Sequence, residues 1–201
     1  DVTSGERALS LAASLRPYFD AIKIGYPLIL AAGLGVVKEI ASIAPVIADL
    51  KVADIPNTNR LICQAAFKAG ASGVIAQAFT GKDSLLACAE VAAEHGGDLY
   101  VVTEMSHPGA EMFMAPQGER MARLAVEVGA AGVVAPATRP ERIRLIRSII
   151  GERTIISPGV GAQGGSAGAA LQAGADYIIV GRSIYGAEDP EGAAERLLSS
   201  I

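Results

Sequence analysis

The run VIADLKVADIPNTN, residues 46–59, carries two acids and a lysine at a spacing that can do chemistry. Side chains alternate across a strand, so Ile47, Asp49 and Lys51 share one face while Ala48, Leu50 and Val52 share the other. Asp49 and Lys51 therefore point the same way near the end of an otherwise apolar strand, with Asp54 three residues on and Lys23 in the preceding run AIKIG. Opposite charges about 4 Å apart attract by roughly 4 kcal/mol at an effective dielectric of 20, so such an array is preorganised and charged. It suits a reaction in which negative charge develops on carbon, with Lys51 as the general acid. Spacing alone leaves the direction of Asp54 open, because three extended residues carry the chain on by about 10 Å.

A second group has the character of a phosphate site. The stretches SPGVGAQGG, residues 157–165, and VGRSIYG, residues 180–186, each follow an apolar run. Gly161, Gly164 and Gly165 would let backbone amides approach an anion, Gln163 could donate beside them, and Arg182 offers a planar fork for phosphate oxygens. A third stretch, TEMSHPGAEMF at 103–113, places Ser106 next to His107, but no GxSxG elbow accompanies the serine. Ser106 is read as a hydrogen-bonding contact and His107 as a turn residue. Spacing makes Thr58 a helix N-cap. Cys63 and Cys88 fall among Ala, Leu and Ile and are expected in the core.

These residues must be positioned by a scaffold, and the apolar runs disclose it. They lie at 21–25, 45–52, 73–79, 98–105, 132–137, 154–159 and 177–182, and most are apolar on both faces, as buried parallel strands are. Amphipathic stretches alternate with them at 5–16, 33–42, 57–69, 81–95, 117–129, 139–150, 166–173 and 190–200. Seven strands against eight helices predict a (β/α)8 TIM barrel whose first strand lies before Asp1, with residues 1–201 as one domain. The doubly wound alternative lacks its GxGxxG fingerprint at the first strand-to-helix turn. In a barrel the site forms at the C-terminal strand ends, and phosphate is held after strands seven and eight.

Composition narrows the function. Of 201 residues 51% are apolar and 19% charged, and 17 Lys and Arg against 21 Asp and Glu give a net charge of −4. No global basic field invites nucleic acid. The longest uncharged stretch, 154–175, is broken by Gly, Pro, Ser and Gln, so no membrane span is expected. Two histidines and two cysteines without CxxC spacing leave no zinc framework, and a cytoplasmic setting is expected.

The segments DVTSGERAL, AIKIGYPLIL, IADLKVADIPNTN, TEMSHPGAEMF, ATRPERI, ISPGVGAQGG and IIVGRSIY together resemble the orotidine 5′-monophosphate decarboxylase family in its archaeal form. The resemblance spans essentially the whole chain. It implies a lyase of de novo pyrimidine biosynthesis that converts orotidine 5′-monophosphate to uridine 5′-monophosphate and carbon dioxide, with no metal or organic cofactor. It further implies that Lys23, Asp49, Lys51 and Asp54 form an alternating charged array, Lys51 protonating carbon 6 and Asp49 facing the departing carboxylate. Asp1 and Lys23 would contact the ribose, Ser106 the pyrimidine edge, and Gln163, Arg182 and the Gly181 backbone the phosphate. Pro158 and Val160 would line the loop over the base. Asp54, Ile55 and Thr58 would reach into the partner's site across a homodimer interface. Gln77 stands where the family often has His, which leaves its polar role undefined. The main competitor is a magnesium-dependent sugar-phosphate enzyme of the 3-keto-gulonate 6-phosphate decarboxylase or hexulose 6-phosphate synthase type. As the resemblance runs, those relatives bind metal through a Glu where Lys23 stands here. A catalytically silent nucleotide-binding barrel is the third reading.

Overall fold

A computed structural model describes residues 1–201. Seven strands, β1 (Ile22–Gly25), β2 (Val46–Val52), β3 (Gly73–Gln77), β4 (Asp98–Val102), β5 (Gly132–Val134), β6 (Thr154–Pro158) and β7 (Tyr177–Ile179), form one sheet in chain order. Every neighbouring pair is parallel. The strands curve into a nearly closed TIM barrel, and the position between β7 and β1 is open. Each strand coincides with one of the seven apolar runs.

Eleven helices connect and cover the strands: α1 (Gly5–Leu15), α2 (Tyr26–Ala32), α3 (Gly35–Ala41), α4 (Pro56–Lys68), α5 (Lys82–Glu94), α6 (Ala110–Phe113), α7 (Gly118–Glu127), α8 (Pro140–Ile150), α9 (Ala167–Gln172), α10 (Arg182–Tyr185) and α11 (Pro190–Leu198). Eight match the amphipathic stretches, whereas α2, α6 and α10 were not expected. Those three have seven, four and four residues, too few turns for a 3.6-residue period to show. No helix is long and apolar enough to cross a membrane.

The apolar residues sort into two layers. The larger cluster lies between sheet and helices and includes Val46, Ala48, Val74, Val101, Val133 and Ile155. A smaller one, Ile75, Val102, Val134 and Ile156, fills the barrel interior, with Ile47 and Ile179 packed against it. Val102, Val134 and Ile156 are direct register partners, so they form a level floor beneath the mouth. Cys63 and Cys88 are fully buried free thiols on α4 and α5, in the core as their apolar surroundings predict.

Candidate active site

The strand-end charges converge above that floor. Lys23 pairs in register with Ile47, and Gly25 with Asp49, so Lys23 starts one pleat below Asp49 and its side chain rises to it. Lys23 Nζ lies 2.8 Å from Asp49 Oδ2, and Lys51 Nζ lies 2.8 Å from both Asp49 oxygens. Asp49 is 7% exposed, while the lysines are partly open. An ammonium has three donors, so Lys51 retains hydrogen-bonding capacity toward the mouth.

Regular alternation does not by itself produce this arrangement. Along β2 the register moves from Ala48 opposite Val74 to Val52 opposite Ala76, four residues against two. Lys51 sits in this irregular stretch with φ 43°, the one non-glycine residue in the left-handed region. That conformation costs roughly 1–2 kcal/mol for a residue with a Cβ, and such strain concentrates where function needs it. Here it folds Lys51 back over Asp49.

Burial would raise the Asp49 pKa, but the Lys23 and Lys51 charges and their hydrogen bonds outweigh it and hold the carboxyl below its ordinary 3.8. A depressed folded pKa means that the unfolded chain binds the proton more tightly. The resulting stabilisation is complete above about pH 4 and disappears as pH falls through the folded value. Thermal melts should therefore show wild type losing more stability than Asp49→Asn between about pH 7 and about pH 3. Parallel losses in the two proteins would mean that this array contributes nothing to acid sensitivity.

The array lies in a cavity of about 1180 Å³ that extends from the mouth into the open side of the barrel. Asp1, Lys23, Asp49 and Lys51 line one part, with the Asp1 carboxylate close to Gly25. Ser106, Pro158, Val160 and Gln163 line another, and Gly181 and Arg182 complete it. Ser106 Oγ donates to Gln163 Oε1 at 2.6 Å, joining the loop after β4 to the loop after β6. The Gln163 amide nitrogen is left to donate elsewhere. Thus one concavity is lined by paired ammonium groups over an apolar floor, a polar clasp and an arginine.

The family model for Orotidine 5'-phosphate decarboxylase / HUMPS family matches residues 1–197. The chain belongs to this family. It is 62% identical over 202 residues to the orotidine 5′-phosphate decarboxylase of Methanosarcina mazei, covering 100% of this chain and 92% of that protein. It is 51% identical to the enzyme of the same name from Thermococcus kodakarensis, covering 100% of this chain and 93% of the relative. Among solved structures, the orotidine 5′-monophosphate decarboxylase of Methanocaldococcus jannaschii, complexed with the inhibitor BMP, superposes with a TM-score of 0.95 at 41% identity. That match covers 100% of this chain and 94% of the other. The Pyrococcus horikoshii enzyme gives 0.91 at 48% identity, covering 100% and 96%.

Within this orotidine 5′-phosphate decarboxylase / HUMPS barrel, three expected site residues lie apart from the protomer's own cavity. Asp54 Oδ1 accepts from the Ile55 amide at 2.7 Å, and Asp54 makes no ion pair with Lys23 or Lys51. Buried Asn59 and Ser84 hold its backbone: Asn59 Oδ1 accepts from Asp54 N, and Ser84 Oγ donates to Asp54 O. Ile55 is 64% exposed. Thr58 is not the N-cap of α4; Ile55 is, because Pro56 takes the first helical position, where its missing N–H costs nothing.

One further expectation changes. Gly161, Gly164 and Gly165 do not present their amides to an anion, since each donates within the loop, to Gly165 O, Gly161 O and Gly159 O. Their role is the turn itself: Gly161 and Gly164 have φ of 72° and 89°. Gln77 closes β3, buried, with Nε2 3.6 Å from Met105 Sδ, and it does not line the cavity. Sequence reasoning overlooked Asn59, Ser84 and the fully buried Glu104. A charge two residues after the apolar run DLYVV was the available signal for Glu104.

Proposed function

We propose that this chain removes the carboxylate of orotidine 5′-monophosphate as carbon dioxide, giving uridine 5′-monophosphate for pyrimidine biosynthesis without a metal or organic cofactor. The observation that carries this reading is the Lys23–Asp49–Lys51 array sharing one cavity with the Ser106–Gln163 clasp and Arg182. Gln163, Arg182 and the Gly181 backbone take the phosphate; Ser106 meets the pyrimidine edge; Asp1 and Lys23 meet the ribose. Pro158 and Val160 cover the base.

The bond from carbon 6 to the carboxyl carbon breaks, and its electron pair stays on carbon 6. That orbital lies in the ring plane, outside the π system, so the ring spreads the charge poorly. The Lys51 ammonium stabilises it by preorganised electrostatics and transfers a proton to carbon 6. The resulting amine recovers its proton from solvent. Asp49 faces the departing carboxylate, and its contacts with both lysines fix where the Lys51 proton is presented. Binding energy from the distant phosphate serves orientation and loop closure.

Two ammonium groups within 2.8 Å of Asp49 repel a divalent cation, which favours this chemistry over that of the magnesium-dependent sugar-phosphate branch. The discriminating assay offers orotidine 5′-monophosphate and 3-keto-gulonate 6-phosphate separately. The account expects absorbance loss with the nucleotide and no turnover of the sugar phosphate. The reverse preference would move the chain to the other branch, and tight nucleotide binding without turnover would make it a sensor.

The working unit in this proposal is a homodimer. Asp54, Ile55 and Thr58 lie outside their own cavity, and Ile55, Leu61 and Phe79 are 64%, 60% and 61% exposed after neighbouring strands β2 and β3. Burying these apolar side chains against a second copy brings Asp54 and Thr58 to its mouth. Both cysteines are free, as the reducing cytoplasm that we propose for this enzyme would keep them.

A further inference from the structure

Glu104 is a fully buried carboxylate outside the reacting array, and its partners tie together the elements that carry Ser106. It leaves the end of β4 two residues before Ser106. Its Oε1 accepts from Arg142 Nε on α8 at 2.7 Å and also from an Arg142 terminal nitrogen. The same terminal nitrogen donates to Ala115 O at 2.9 Å, in the connection between α6 and α7. Beside the same oxygen α7 begins at Gly118, where an added Cβ would overlap Glu104 Oε1. One carboxylate is therefore clamped between β4, α7 and α8.

Replacing a buried ion pair with apolar side chains is often neutral or stabilising, so stability alone does not account for such a pair. Position does. Two residues of chain span at most about 7 Å, so the Glu104 anchor restricts where Ser106 can sit. Ser106 in turn makes its 2.6 Å bond to Gln163 across the cavity.

We propose that Glu104 and Arg142 are positioning residues for Ser106: the ion pair of buried Glu104 with half-buried Arg142 fixes the turn that presents the hydroxyl to the pyrimidine, and so sets affinity for the base but not for the ribose phosphate. This role rests on the nucleotide reading above. The test compares binding of uridine 5′-monophosphate with that of ribose 5-phosphate, which lacks the base, in wild type, Glu104→Gln, Ser106→Ala and the double variant. Glu104→Gln should weaken the nucleotide about tenfold, the scale of one hydrogen bond, and ribose 5-phosphate by less than about twofold. In the Ser106→Ala background it should have no further effect, because the residue it acts through is gone. Equal weakening of both ligands, no weakening of either, or additive effects with Ser106→Ala would overturn the proposal. If Glu104→Gln does not fold, Arg142→Lys and Gly118→Ala, which disturb the same carboxylate oxygen, carry the comparison with the same outcomes. A wild type that binds ribose 5-phosphate but not the nucleotide more tightly would refute the nucleotide reading itself.

Discussion

Lys51→Ala should lower the first-order rate of orotidine 5′-monophosphate decarboxylation by about 10⁴-fold or more, the combined scale of a lost general acid and a lost charge stabiliser. Binding of uridine 5′-monophosphate should weaken far less, because Ser106, Gln163 and Arg182 line a different part of the cavity. The fold should survive, since Asp49 keeps its 2.8 Å contact with Lys23. The split between rate and binding is the informative quantity. An interaction made only in the transition state lowers the rate and leaves ground-state affinity. Single-turnover kinetics beside nucleotide titration measures both. A variant that turns over at the wild-type rate would remove Lys51 from its role.

The second large effect is a recovery of activity. Lys51→Ala and Asp54→Ala subunits should each be inactive alone, and equimolar mixing after reversible dissociation should restore activity to about a quarter of wild type. Half of the randomly formed dimers are hybrids, and each hybrid contains one site with both residues intact. This follows from where Asp54 sits. Its backbone is fixed by Asn59 and Ser84, and its carboxylate is bound to the Ile55 amide outside its own cavity. If mass spectrometry shows that subunits exchange and activity stays absent, the sites are not shared.

The fold was legible because a parallel barrel buries its strands on both faces, and seven such runs separated by amphipathic stretches leave few alternatives. The short helices were not: α2 begins at Tyr26 with Pro27 in its first turn and stops at Gly33, and those two residues were the local cues. Thr58 shows the proline cue being missed, since Pro56 moves the cap to Ile55.

At the site, pattern located the residues and left their geometry hidden. Alternation put Asp49 and Lys51 on one face, and they do meet. The meeting depends on a four-against-two register shift and a lysine at φ 43°, and no propensity places a lysine there. The glycines after β6 were read as anion-binding amides because flexibility and free donors look alike in sequence. Their hydrogen bonds close the loop on itself, a matter of tertiary geometry. Glu104 escaped notice for a different reason. Its partner Arg142 lies 38 residues on, and only packing of α8 against the end of β4 brings them together.

The central claim is that the lysine–aspartate–lysine array performs the decarboxylation unaided by metal. The most direct measurement follows consumption of orotidine 5′-monophosphate by wild-type enzyme after exhaustive treatment with EDTA, with uridine 5′-monophosphate quantified as product. The account predicts an unchanged rate and one product molecule for each substrate consumed. Loss of activity on chelation, restored by magnesium, would contradict it.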